Sequence, residues 1–215
     1  LRAIISQARK PGFENYIPDK TTGVDYTDHL LLYTWIRKHK PAKVLEFGPG
    51  VSTAVMAQAL FENGSGRIVS LEDSPQYFEE EKSYLPENLR HLVDYVLTKK
   101  IEKRYGPFVG VGYEYIPEGS YDLVVVDGPN YDKERGFDAD IFEVVEKNGR
   151  PLTAIVDTRT GTCFIYHLVF GKKFRYNPLL RVGLLEQVSK NDIKGYTRIV
   201  ADSMRRRQWR RLWWI

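Results

Sequence analysis

Short apolar runs alternate with longer amphipathic segments along the chain. Five of the runs are rich in Val, Ile and Leu and predict strands, at Lys43–Phe47, Arg67–Glu72, Val93–Thr98, Tyr121–Asp127 and Thr153–Asp157. The fourth run holds three consecutive valines, so neither of its faces is predicted to meet solvent. Buried strands separated by helical segments are typical of a parallel sheet that is covered by helices.

Helices are predicted from apolar periodicity and from capping residues. They cover His29–Lys40, Ala54–Phe61 with Ser52 or Thr53 as its cap, a segment opened by Ser74-Pro75, about Lys133–Lys147, and Gly161–Phe170. Lys99–Gly119 is predicted to be an inserted hairpin or loop. The chain after Phe170, through Thr197–Val200, is predicted to form an antiparallel strand pair at the sheet edge. The predicted fold class is α/β, a doubly wound, mostly parallel, seven-stranded Rossmann-like sheet with helices on both faces, in one domain over 1–215.

Composition narrows the class of protein without naming a function. The chain has 215 residues, 42% hydrophobic and 28% charged, which is normal for a globular domain. It has one cysteine, Cys163, so no disulfide forms within the chain, and no apolar run suits a signal peptide or a membrane span. These features predict a cytoplasmic protein.

The positive charge is concentrated at the end of the chain. The net charge is +4, and the segment Arg205–Arg211 alone holds five arginines, interleaved and followed by tryptophans. Such a basic aromatic tail, over 203–215, leaves three partners open: nucleic acid, an anionic membrane, or the domain itself or a second copy of it, as in a homo-oligomer.

A glycine turn flanked by acids is the first candidate site. Gly48-Pro49-Gly50 lies between a predicted strand and helix, Glu46 precedes it, and Glu72 ends the next strand. A carboxylate at Glu72 suits the two hydroxyls of a ribose, and Glu46 lies where an ammonium group could bind. Dinucleotide dehydrogenases share this layout, but their third glycine is replaced here by Thr53.

Four segments carry a family resemblance, which covers about residues 26 to 170. Val44–Gly50 resembles motif I of class I S-adenosylmethionine (SAM) dependent methyltransferases, Ile68–Glu72 their second motif, Tyr121–Pro129 a fourth-strand motif in its Val-Asp-Gly-Pro form, and Thr153–Asp157 the fifth strand. The resemblance implies that SAM is the cofactor. The residues implied to hold it are Glu46, Gly48, Gly50, Ser52, Thr53, Glu72 and Asp127.

Candidate catalytic residues are Asp127, Asp157 and His29. The two aspartates end neighbouring predicted strands and should face one crevice at the carboxyl edge of the sheet, and His29 is the best placed histidine for a general base. In catechol-type O-methyltransferases, the acids at the matching positions bind a metal ion, and the second of them is followed by Asn. Thr158 alters that pattern, so a divalent metal is not favoured. Arg159 could steer an anionic substrate or pair with Asp157.

Three functions remain open at this point. The first is O-methylation of a small-molecule acceptor or of a sugar- or polysaccharide-type acceptor. The second is methylation of nucleic acid guided by the tail, although Gly128–Tyr131 lacks the Asn/Asp-Pro-Pro-Tyr/Phe pattern of many base methyltransferases. The third is a SAM-fold domain that binds or scaffolds without turnover.

Overall fold

The computed structural model describes residues 26–131, 136–157 and 159–202. Its strands are β1 (Lys43–Phe47), β2 (Arg67–Glu72), β3 (Val93–Leu97), β4 (Lys100–Tyr105), β5 (Phe108–Tyr113), β6 (Leu123–Val126), β7 (Leu152–Val156), β8 (Phe174–Asn177) and β9 (Val182–Val188). Its α-helices are α1 (Tyr26–His39), α2 (Val51–Asn63), α3 (Pro75–Tyr84), α4 (Asp140–Lys147) and α5 (Thr160–Phe170). Short 3₁₀ turns cover Glu87–Leu92, Gly171–Lys173 and Lys190–Asp192.

Seven strands of the described chain form one sheet in the order β3-β2-β1-β6-β7-β9-β8. The five strands from β3 to β7 in that order run parallel, β9 is antiparallel to β7, and β8 is antiparallel to β9. This is the predicted mostly parallel, seven-stranded sheet. Strand β1 lies between β2 and β6, so the loop that follows β1 sits between the loops that follow those two strands.

Alternate residues of the central strands supply two separate cores. Leu45, Phe47 and Val124 face one side, where they join the apolar residues of α4 and α5. Val44, Leu123 and Val125 face the other side and join those of α1 and α2. Both faces are thus closed by helices, which explains why the strands are apolar throughout.

One predicted helix begins later than expected, and one predicted strand is helical. Helix α4 begins at Asp140 and not near Lys133, because residues 137–139 pair with β5: the Val111 N–H donates to Phe137 O, and the Ala139 N–H donates to Val111 O. The predicted strand at Thr197–Val200 is helical, with the Ile199 N–H donating to Gly195 O. The predicted antiparallel pair at the sheet edge is present as β8 and β9, and it ends before Thr197. The predicted insert forms the β4–β5 hairpin.

The basic aromatic tail at 203–215 lies outside the described residues, as does Thr158. Within the part of the chain that the structure describes, no helix is long and apolar enough to cross a membrane.

Candidate active site

The predicted site residues meet at one edge of the sheet. Strands β1, β2, β6 and β7 are parallel, so their carboxyl ends lie side by side. Glu72 is the last residue of β2, and Asp127 and Asp157 directly follow β6 and β7. A crevice outside the carboxyl ends of such strands is the usual ligand site of open α/β sheets.

A glycine is required at position 48 because the loop after β1 lies very close to the loop after β6. Its φ of +83° lies in the left-handed region, and a Cβ atom there would lie 2.9 Å from Gly128 N and 3.0 Å from the carbonyl carbon of Asp127. No other residue type fits without moving the loop after β6. Gly50 differs, since its φ is −175° and a Cβ would meet only Ser52 Oγ, at 3.9 Å. Neither strain nor packing within the protein explains a glycine at position 50.

Glu46 is completely buried and accepts three hydroxyl hydrogen bonds. Ser52 Oγ donates to Oε1 at 2.6 Å, and Thr53 Oγ1 and Ser70 Oγ donate to Oε2 at 2.6 and 2.7 Å. Burial raises the pKa of Glu46 to about 7, although the three hydroxyls oppose the shift. The carboxylate therefore joins β1 and β2 to the first turn of α2.

The same contacts correct the predicted role of two residues as helix caps. The N-cap of α2 is Gly50, so neither Ser52 nor Thr53 is the N-cap residue, although Thr53 Oγ1 accepts a hydrogen bond from the Gly50 N–H at 3.0 Å, as in a capping box. Both side chains instead donate hydrogen bonds to Glu46, and these bonds hold the glycine loop against β1. The predicted contact of Glu46 with an ammonium group stays a prediction, and its burial favours an indirect role.

Glu72 is oriented by the backbone of its own turn. Its Oε1 accepts hydrogen bonds from the N–H groups of Asp73 and Ser74, at 2.9 and 2.7 Å. Ser74 in turn caps α3 by accepting from the Tyr77 N–H, as the sequence predicted. Burial raises the pKa of Glu72, with the two backbone donors opposing the shift. The carboxylate is thus held in one position by the two backbone hydrogen bonds to its Oε1 atom.

Asp127 and Asp157 lie together, as predicted. Val126 and Val156 pair across β6 and β7, so the two aspartates that follow them lie at the same edge, close enough for Asp157 to help raise the pKa of Asp127. Desolvation raises the pKa of Asp127 to about 7, Arg159 opposes the shift, and Asp157 adds to it. Solvent screens part of this shift, because the Asp127 side chain is 48% exposed.

Arg159 is enclosed by protein groups. Its Nη1 donates to Pro129 O at 2.8 Å and lies 3.4 Å from Asp138 Oδ2, and its Nη2 donates to Asp127 O. Asp138 is completely buried and also accepts from Thr162 Oγ1 at 2.9 Å. Burial raises the pKa of Asp138 to about 7 while Arg159 lowers it. The guanidinium therefore ties the loop after β6 to the segment before α4, and its sequence-based pairing with Asp157 is not the main contact.

Tyr113 places a buried hydroxyl group next to the candidate site. It ends β5, is completely buried, and its hydroxyl has no hydrogen-bond partner in the described structure. A Cβ atom at Gly128 would lie 2.8 Å from that hydroxyl, so the phenol reaches the same loop contact that requires Gly48.

The remaining predictions concern His29 and a metal ion. His29 is a part-buried residue of α1, and its role as a general base stays a prediction. Within the described ranges, no group of three or more His, Cys, Asp or Glu side chains is arranged to hold a metal ion.

The comparisons with known proteins agree with this geometry. The family model described as "Methyltransferase domain" matches residues 45–153, about half of the chain, and the chain belongs to this family. The match spans the glycine loop, Glu72 and Asp127. The prediction of a methyltransferase is confirmed.

Two solved structures are similar to this chain at low sequence identity. The O-methyltransferase TomG from Streptomyces achromogenes, involved in tomaymycin synthesis and determined in complex with SAM, is 19% identical with a TM-score of 0.51, over 86% of this chain and 89% of that one. A methyltransferase from Geobacter sulfurreducens is 18% identical with a TM-score of 0.49, over 86% and 90% of the two chains. The first of these confirms the Rossmann-like fold class. A comparison with curated proteins gives no match.

Proposed function

We propose that the chain is a SAM-dependent methyltransferase that methylates a hydroxyl oxygen of a small, sugar-like acceptor. The observation that carries this proposal is the meeting of Glu72, the glycine loop and the Asp127–Asp157 pair at one edge of a methyltransferase-family sheet. TomG, which has the same fold, is an O-methyltransferase with SAM bound.

The residues present fit SAM. Glu72 has its Oε1 fixed by backbone donors, and Oε2 can accept hydrogen bonds from ribose hydroxyls. A Cβ atom added at Gly50 would have only Ser52 Oγ within 4 Å, so the space beside this glycine is open. A ligand can therefore approach the backbone of Gly50 and the first N–H groups of α2. Glu46 stabilises this loop through its hydrogen bonds with Ser52 and Thr53. When bound, SAM supplies a methyl group on a positively charged sulfur.

The Asp127–Asp157 pair suits the removal of a proton from a hydroxyl. Two carboxyl groups in contact hold one proton more readily than two separate ones, since ionising both places like charges together. The raised pKa of Asp127 makes it a better base than an ordinary aspartate. The proton of the acceptor hydroxyl would pass to this pair, and the oxygen lone pair would form the new O–CH₃ bond while the C–S bond breaks.

The charges at this edge favour a neutral acceptor. Arg159, the cation next to the pair, is already bonded to Pro129 O and Asp127 O and paired with Asp138. The carboxylates of Asp127 and Asp157 would repel a carboxylate or phosphate group near the reacting oxygen. A neutral polyhydroxyl compound meets neither difficulty.

Calorimetry with S-adenosylhomocysteine (SAH) and with NAD tests the proposed cofactor. We expect binding of SAH and none of NAD, because the dinucleotide fingerprint lacks its third glycine. Glu72→Ala should weaken SAH binding by about 1–3 kcal/mol, the cost of unpaired ribose hydroxyls. Glu102→Ala is the control, since Glu102 is an exposed residue of the β4–β5 hairpin. Binding of NAD alone would refute the proposal.

A pair of glycine variants separates packing from ligand binding. Gly48→Ala should destabilise the fold, because its Cβ would lie 2.9 Å from Gly128 N at a left-handed φ. Gly50→Ala should keep the wild-type stability, because its Cβ meets only Ser52 Oγ, but it should weaken SAH binding about tenfold or more. Urea unfolding and SAH titration of both variants measure this. If Gly50→Ala binds SAH like the wild type, the ligand does not pass over Gly50.

A further inference from the structure

The position of the Tyr113 side chain is set from three directions. Its backbone N–H donates to Asp140 Oδ2 at 2.9 Å, and Asp140 is itself paired with Lys103 Nζ at 2.7 Å. Its ring lies against that of Phe47, with centroids 5.8 Å apart. The phenol is therefore rigidly held, and its hydroxyl points to a defined place in the molecule.

That place lies between three loops of the candidate site. The hydroxyl lies next to Gly128, in the loop after β6, at the point where Gly128 contacts Gly48 in the loop after β1. After burial, the nearby carboxylates of Glu72, at the end of β2, and Asp73, in the loop after it, are the next largest causes that raise the pKa of Tyr113 well above its usual range. The hydroxyl thus stays protonated and available as a hydrogen-bond donor at the end where Glu72 is proposed to bind ribose.

Tyr113 stands apart from the other buried polar groups. Within the described residues, only two buried side-chain polar atoms have no hydrogen-bond partner, Tyr113 Oη and Arg159 Nε. Arg159 Nε still lies 3.6 Å from Asp127 Oδ1, within an ion pair. An unpaired buried hydroxyl usually costs about 1–3 kcal/mol, so a fold that holds one rigidly at a ligand site calls for an explanation.

We propose that the Tyr113 hydroxyl belongs to the cofactor site and donates a hydrogen bond to the nucleoside end of SAM. This rests on the proposed function above. Gly128, which lies beside the hydroxyl, and Gly48, which contacts Gly128, have no side chains to cover it. Because the hydroxyl is completely buried in the structure, the proposal includes a small separation of these two loops on binding, enough to admit one oxygen or nitrogen atom.

The test compares Tyr113→Phe with Tyr121→Phe. The Tyr121 hydroxyl donates to Pro117 O at 2.6 Å and so makes an ordinary structural hydrogen bond. Without ligand, Tyr113→Phe should unfold at the same urea concentration as the wild type or a higher one, since no partner is lost. Its affinity for SAH should be about tenfold weaker, equal to about 1.4 kcal/mol. Tyr121→Phe should show the reverse, with lower stability and unchanged affinity.

A second ligand places the contact along the cofactor. 5′-Methylthioadenosine has the nucleoside but no amino-acid group, so its binding to Tyr113→Phe should weaken by the same factor as that of SAH. A loss confined to SAH would overturn the assignment to the nucleoside. Unchanged SAH affinity, or a loss of stability like that of Tyr121→Phe, would overturn the inference itself. If the wild type binds no SAH, the proposed function fails first, and that outcome is distinct from the others.

Discussion

A Glu46→Ala variant is expected to lose about 3–5 kcal/mol of its free energy of unfolding. The substitution removes the acceptor of three hydroxyl donors, Ser52, Thr53 and Ser70, each within 2.7 Å of the carboxylate. All three lie in the buried space between β1, β2 and α2, where an unsatisfied hydroxyl costs about 1–3 kcal/mol. Water that enters the new cavity offsets part of this cost, which keeps the total below the simple sum. Urea unfolding at about pH 7 measures the effect.

Two control variants separate this network from a general loss of charge. Glu46→Gln keeps an acceptor oxygen in the same place, so it should lose much less stability than Glu46→Ala. Glu102→Ala removes an exposed carboxylate that pairs only with Arg104, and it should change stability by less than about 0.5 kcal/mol. A Glu46→Ala protein as stable as Glu102→Ala would mean that the hydroxyls find other partners.

The role of Glu46 shows what the sequence could and could not predict. The acid before the glycine loop was visible as a motif, but its partner Ser70 lies 24 residues away. The two meet because parallel pairing aligns Glu46 with Ser70 across β1 and β2. A register derived from the two motifs could have predicted that contact. The sequence could not show whether the Glu46 carboxylate binds an ammonium group of a ligand or hydroxyl groups of the protein, because that choice depends on how deeply the carboxylate is buried.

The fold was predictable where a segment forms one element by itself, and less so where distant segments pair. The five parallel strands follow directly from their apolar runs. By contrast, residues 137–139 have an apolar pattern that suits a helix, yet they pair with Val111 of β5. The hairpin supplies backbone partners that outweigh the local helical tendency. Thr197–Val200 has the composition of a strand, but the β8–β9 pair already completes the sheet edge.

The surroundings of Arg159 were missed for a similar reason. The sequence placed Arg159 two residues after Asp157 and suggested a local pair or a role in steering an anion. The structure brings in Asp138 instead, 21 residues earlier, because the segment before α4 folds over the carboxyl edge of the sheet. The acid in the apolar stretch Phe137–Ala139 was the available signal, since an aspartate between buried residues needs a partner.

An Arg159→Met variant is expected to be strongly destabilised, and the loss should grow with pH. Methionine keeps much of the side-chain volume but leaves Asp138 buried without its cation, which typically costs about 3–5 kcal/mol when the carboxylate is charged. Burial already raises the pKa of Asp138 from 3.8 to about 7 in the presence of Arg159, and removal of the cation raises it further. Asp127 also loses a cation, but solvent screens that effect at a side chain that is 48% exposed.

The sign of the pH dependence follows from the protons bound in each state. Above the unfolded pKa of Asp138, the folded protein holds a proton that the unfolded chain has lost, so stability falls as pH rises. In the wild type this fall ends as the pH passes the folded pKa near 7, whereas in Arg159→Met it continues to higher pH. The difference between the two proteins should therefore be smallest near pH 5 and larger near pH 8. Urea unfolding of both proteins at the two pH values measures it.

The double variant Asp138→Asn with Arg159→Met isolates the carboxylate. Asparagine at position 138 can still accept from Thr162 Oγ1 but cannot ionise, so the pH-dependent part of the loss should disappear while the packing part remains. An equal loss for Arg159→Met at both pH values would mean that Asp138 does not depend on the guanidinium for its charge. In that case Arg159 would be held mainly by the carbonyls of Asp127 and Pro129, and its charge would be available to an anionic acceptor.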